Sequence, residues 1–73
     1  MTTAAEDLDR AITAEHKSLR ACHDTDCQDR HLDLVLDYEA AQKILAAENP
    51  DPADKRRALA ILYTARSSLG ATS

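Results

Sequence analysis

Residues 26–48 read DCQDRHLDLVLDYEAAQKILAAE. Cys27, His31, Leu34, Tyr38, Ala41 and Leu45 recur in alternating steps of four and three. That spacing keeps all six on one stripe of an α-helix, as a heptad seam does. Leu32, Val35, Leu36 and Ile44 widen the stripe. An apolar surface this wide predicts contact with two neighbours rather than one. Asp26, Asp29, Asp33 and Asp37 form an acidic ridge beside it, read as a solvated face. A helix over 26–48 therefore anchors the fold, and the flanking segments supply its neighbours.

The N-terminal segment opens with Thr3-Ala4-Ala5-Glu6, a capping box in which hydroxyl and carboxylate each satisfy a free backbone N–H. Glu6, Asp7 and Asp9 place negative charge at the positive end of the helix dipole. Ala5, Leu8, Ile12, Leu19 and Cys22 then follow helical spacing, with Glu15 on the same seam and His16 flanking it. This predicts a helix over 3–23. His23-Asp24-Thr25 breaks it, and Thr25-Asp26-Cys27-Gln28 reads as a second capping box.

Downstream, Asn49-Pro50-Asp51-Pro52 is the strongest punctuation in the chain. Pro50 disfavours helical geometry at Asn49. Asp51 suits an N-cap, and Pro52 the first helical position, where no N–H is needed. Ala58, Leu62, Ala65 and Leu69 mark one face of a helix over 52–69, broadened by Leu59 and Ile61. Gly70 signals a C-cap, and 70–73 reads as a disordered tail. The expected fold is all-α, a single domain over 1–73. It is a three-helix bundle, an antiparallel hairpin plus a third helix, whose core a dimer could complete.

Composition explains why help from a partner is expected. The 73 residues include nine Leu, three Ile, one Val, one Met, two Tyr and no Phe or Trp, beside fourteen Ala. Such a short, alanine-rich chain buries little area and usually needs a disulfide, a metal or self-association. The single Gly and two Pro argue against an all-β protein. No apolar run approaches the length of a membrane span, and the acidic N-terminus lacks the features of a signal peptide. A cytoplasmic protein without membrane contact is the expectation.

The formal charge of −4 is unevenly spread. Residues 1–54 hold all thirteen carboxylates beside five basic residues, a net −8. Residues 55–73 carry Lys55, Arg56, Arg57 and Arg66 without an acid, a net +4. Such a tail suits an acidic surface, on its own first half, another copy or a different partner. It also raises nucleic-acid binding through a basic third helix. Against that stand the overall acidity and the placement of three cations where they oppose the helix dipole.

All three His and both Cys fall within sixteen residues: His16, Cys22, His23, Cys27 and His31. Three readings compete. Cys22 and Cys27 form a disulfide that clamps the hairpin. Or Cys22, Cys27, His31 and one of His16 or His23 bind zinc. Or the cysteines stay reduced and pack as small apolar residues. The C-x4-C-x3-H spacing is no standard zinc-finger pattern and lacks a paired C-x2-C. In a redox variant of the first reading, the dipole of the second helix lowers the pKa of Cys27. Calcium is set aside, because the Asp-rich loop lacks the required Gly and bidentate Glu.

No phosphate-binding loop, zinc-protease motif or Glu-x-x-His pair is present, so no enzyme is expected. The leading expectation is a protein-interaction module, itself its own partner or paired with another protein. Its surface would include Leu34, Tyr38, Ala41, Leu45, Leu62 and Leu69. The alternatives are a zinc- or redox-responsive regulator built on the Cys/His cluster and a nucleic-acid binder. In the leading case no cofactor is needed.

Overall fold

The computed structural model describes residues 3–70. It is an all-α three-helix bundle: α1 spans Ala4–Ala21, α2 Thr25–Ala46 and α3 Pro52–Gly70, and each helix packs on both others. The predicted tail at 71–73 lies outside the described residues, and Gly70 is the last residue of α3 itself.

The helix starts show how sequence sets the boundaries. Thr3 is in extended geometry, and its hydroxyl accepts from the Glu6 N–H at 3.2 Å. The cap of α2 falls one residue before the expected Thr25. Asp24 holds the cap, and its Oδ1 accepts from the Cys27 N–H at 2.7 Å. A carboxylate is the stronger acceptor at a positive helix end, so the Asp takes the role and Thr25 becomes the first helical residue. Pro52 opens α3, with the Lys55 N–H bonded to the Asp51 carbonyl at 2.8 Å. At the other end of α2 the helix stops at Ala46, two residues short of the expected Glu48, with Ala47 already extended.

The core is a small cluster drawn from all three helices: Leu8 and Ala11, Tyr38 and Ala41, and Ala58, Leu62 and Ala65. Four of these seven are alanines, so the backbones approach closely while each contact removes little apolar area from water. Tyr38 and Leu8 are the largest fully buried side chains. Ile12, Leu34, Ile44, Leu45 and Ile61 pack around the cluster, half-buried. Across the hairpin, the Gln42 side-chain amide donates to the Ala5 carbonyl at 3.2 Å and ties the end of α2 to the start of α1.

The wide stripe on α2 divides between two environments. Val35 is buried, whereas Leu32 and Leu36, further round the helix from the Tyr38–Ala41 face, stand 46% and 56% exposed. Leu59 and Tyr63, one turn apart on α3, are also exposed. The acidic ridge of Asp26, Asp29, Asp33 and Asp37 faces solvent, as read from the sequence. Among the described residues no helix is long and apolar enough to cross a membrane.

Candidate functional site

The turn between α1 and α2 gathers the chain's reactive side chains. Cys22 is the C-cap of α1, and Cys27 lies in the first turn of α2. The reversal brings their Cα atoms to 5.8 Å, and a disulfide joins the two sulfurs. That separation is ordinary for a cystine. It corresponds to the first of the three readings of the pair. Neither cysteine is free.

His31 follows Cys27 by one helical turn and so lies over the same end of the hairpin. The ligand atoms of Cys22, Cys27 and His31 all lie within 4.8 Å of one another, and all three residues are half-buried. His16 and His23 do not join this group. Both are exposed, His16 on the flank of α1 beside Thr13, Lys17 and Arg20, and His23 in the turn. The four-ligand zinc set expected from sequence is therefore reduced to three residues.

What the sequence reading missed is the group beneath His31. Glu15 is 9% exposed, and its carboxylate is hydrogen-bonded to His31 Nδ1. A buried carboxylate must be matched by a donor, and His31 is that donor. Glu15 also acts on Tyr38. Burial first, then the charges of Glu15 and Asp37, push the Tyr38 phenol above its usual pKa of 10.0. The signal was present in the sequence: each seam carries one polar residue, and an antiparallel hairpin turning at Asp24 sets the two against each other.

Beside this group an open hollow of about 370 Å³ is lined by Asp24, Asp26, Cys27, Arg30, His31 and Leu34. Its wall mixes acid, base and imidazole.

The other candidate residues are distributed differently from a single surface. Of the proposed interaction seam, Tyr38, Ala41 and Leu62 lie in the core of one chain, Leu34 and Leu45 pack against it, and Leu69 is half-buried. The stripe is occupied internally because α1 and α3 both dock on it. The basic residues do not form one patch. Lys55, Arg56 and Arg57 are consecutive, about 100° apart around α3, and all are exposed. Arg66 instead pairs with Asp7 of α1, Nε to Oδ2 at 2.6 Å, across 59 residues of sequence. Among the described residues, the basic tail meets the acidic first half through this ion pair, on α1 rather than on the Asp ridge.

On the outside of α2, Leu32, Leu36, Ala40 and Lys43 are all exposed and share one face. An apolar hollow of about 330 Å³, lined by Ala40, Lys43, Ile44, Ala47, Pro50 and Asp54, continues that face toward α3.

Compared with known proteins, the chain matches no family model, no curated protein and no solved structure.

Proposed function

We propose that this chain is a small non-enzymatic interaction module that associates with a second copy of itself through the outer face of α2. The observation that carries the reading is the row Asp29, Leu36, Lys43. These residues are seven apart, so they lie in line along the helix, and all three are exposed. A two-fold axis through Leu36 that sets the helices antiparallel places Asp29 of one copy against Lys43 of the other, twice. The same operation sets Leu32 opposite Ala40, at the rim of the apolar hollow. The surface is thus complementary to itself, as an isologous dimer requires. The small core supports the same reading, since a chain with so little buried area gains from covering Leu32 and Leu36.

The test is sedimentation of the wild type and of Leu36→Glu across a concentration series, with circular dichroism to show that the helices persist. A dimer that becomes monomer in the variant is expected. A wild-type monomer at all concentrations would contradict the reading. Asp29→Lys and Lys43→Asp should each weaken the dimer several-fold. The double exchange should restore it, because unlike charges again face each other.

A second reading has its own observation: a disulfide at the exposed turn of a hairpin, with His31 and Glu15 beneath it. That arrangement suits a regulator whose hairpin end responds to thiol redox state. Its test is the redox dependence of the Cys22–Cys27 bond against a glutathione buffer. Nucleic-acid binding finds less support, because Lys55, Arg56 and Arg57 diverge and Arg66 is engaged by Asp7. The marked basic footprint of such proteins is missing from the described surface.

A further inference from the structure

We infer that reduction of the Cys22–Cys27 disulfide creates a zinc site, with the two thiolates and His31 as ligands and Glu15 as the residue that positions the imidazole. The inference rests on the redox reading, since the disulfide must open, and is independent of self-association.

The geometry carries the first part. Tetrahedral zinc, with bonds of about 2.3 Å to sulfur and about 2.0 Å to nitrogen, spaces its ligand atoms roughly 3.3–3.8 Å apart. The three candidate atoms already sit within 4.8 Å of one another. They are held by two elements: the end of α1 carries Cys22, and the first two turns of α2, behind the Asp24 cap, carry Cys27 and His31. Opening the disulfide needs side-chain rotation and no change of helix register.

The buried carboxylate carries the second part. Glu15 takes His31 by Nδ1, which leaves Nε2 as the nitrogen able to bind a metal. Histidine ligands to zinc characteristically donate their other N–H to a carboxylate, which fixes the ring and its tautomer. Glu15 supplies that partner from α1, so the imidazole is oriented before any metal arrives. Cys27, in the first turn of α2, gains from the helix dipole as a thiolate. On the wall of the adjoining hollow, Asp24 and Asp26 favour the approach of a cation, with Arg30 opposing. The hollow opens beside Cys27 and His31, so the proposed site takes its fourth ligand from solvent.

The chemistry balances as follows. A dithiol reductant gives two electrons and two protons to the Cys22–Cys27 bond and becomes a disulfide itself. Two thiols result. Zinc then displaces both thiol protons to solution and binds two thiolates and neutral His31. The oxidised chain offers zinc one imidazole and no thiolate. Two sulfurs and a nitrogen suit zinc better than the harder divalent ions.

The experiment uses cobalt(II) as a spectroscopic stand-in for zinc. The full chain is reduced with a phosphine, and its free thiols are counted before titration. The expected result is two thiols and one cobalt per chain. A thiolate-to-cobalt charge-transfer band should appear, be displaced by zinc, and be absent from the oxidised chain. Glu15→Gln should keep the band and weaken binding 10–100-fold, while His31→Ala should lose the tetrahedral spectrum. Leu36→Glu should leave the titration unchanged. If no thiols appear after reduction, the redox reading and this inference both fall. Two free thiols without a charge-transfer band overturn the zinc site alone. So does a band unaffected by His31→Ala, or one metal per two chains. The wild-type band decides the matter even where a variant fails to fold.

Discussion

The two ends of the hairpin are closed by different physics. At the end where α1 begins and α2 finishes, α3 packs across both, and Leu8, Ala11, Tyr38, Ala41, Ala58, Leu62 and Ala65 form a common apolar cluster. At the turn end, two contacts of the described residues join α1 to α2: the Cys22–Cys27 disulfide and the Glu15–His31 pair. The first end is held by burial of apolar surface, which is non-directional and insensitive to redox state. The second is held by one covalent bond and one part-buried polar pair, both of which solution chemistry can undo. Tyr38 joins the two, since it is buried in the apolar cluster and feels the charge of Glu15. A chain with few large apolar residues can fill one end with a core and must close the other by chemistry. The end closed by chemistry is then the one able to respond to its surroundings.

The largest effect is expected at the apolar end. Tyr38→Ala removes the largest fully buried side chain from a cluster made mostly of alanine. It should cost about 3–5 kcal/mol, as for other buried aromatics. In a domain of marginal stability that is enough to unfold it, which urea titration or calorimetry would show. A loss below 1 kcal/mol would mean that the apolar end is not the principal stabiliser.

The turn end should yield a smaller loss. Reduction of the disulfide releases a closure of five residues in sequence separation, for which the chain-entropy model gives about 2 kcal/mol. In metal-free buffer the melting temperature should fall by about 8–16 °C at 4–8 °C per kcal/mol. No change on verified reduction would show that Glu15 and His31 hold this end unaided.

Smaller still is the clasp between α1 and α3. Asp7 is buried, but the Arg66 side chain is 51% exposed, so solvent screens the pair. Asp7→Asn should cost about 1 kcal/mol or less in thermal unfolding. A loss several times larger would make this contact an equal of the apolar cluster.

The smallest effect is one of pH. The Tyr38 phenol is raised above its unfolded value, so the fold favours its neutral form. The sign follows: stability from this group is complete below the unfolded pKa of 10.0 and is lost as pH rises through the folded value. Wild type should therefore lose more stability above pH 10 than Tyr38→Phe does. Parallel curves for the two proteins would contradict the shift.

Much of the fold was legible from local chemistry. Thr3, Pro52 and the Asn49–Pro52 break mark boundaries through capping and proline sterics, which act within a few residues. The cap of α2 was misplaced by one residue because Asp24 and Thr25 both qualify and only geometry decides between them. The α2 seam was legible as a stripe, but its occupant was not. Periodicity states which residues share a face and says nothing of whether a neighbour is in the same chain. The cluster at Cys22, Cys27 and His31 was legible from i, i+4 spacing across a turn. Its exclusion of His16 and His23 was not, because that depends on how far around each helix the hairpin contact reaches. The Glu15–His31 and Asp7–Arg66 pairs are long-range, and register between helices is set by packing rather than by local sequence.

The difference between the two ends is tested most directly by native-state hydrogen exchange, oxidised and reduced, without metal. Reduction should raise exchange of the amides between about Leu19 and His31, those around the disulfide. The amides near Leu8, Tyr38, Ala41, Leu62 and Ala65 should keep their relative protection, because local opening at the turn leaves the apolar cluster closed. A uniform loss of protection across all three helices would contradict this, since the chain would then be a single cooperative unit with no separately responsive end.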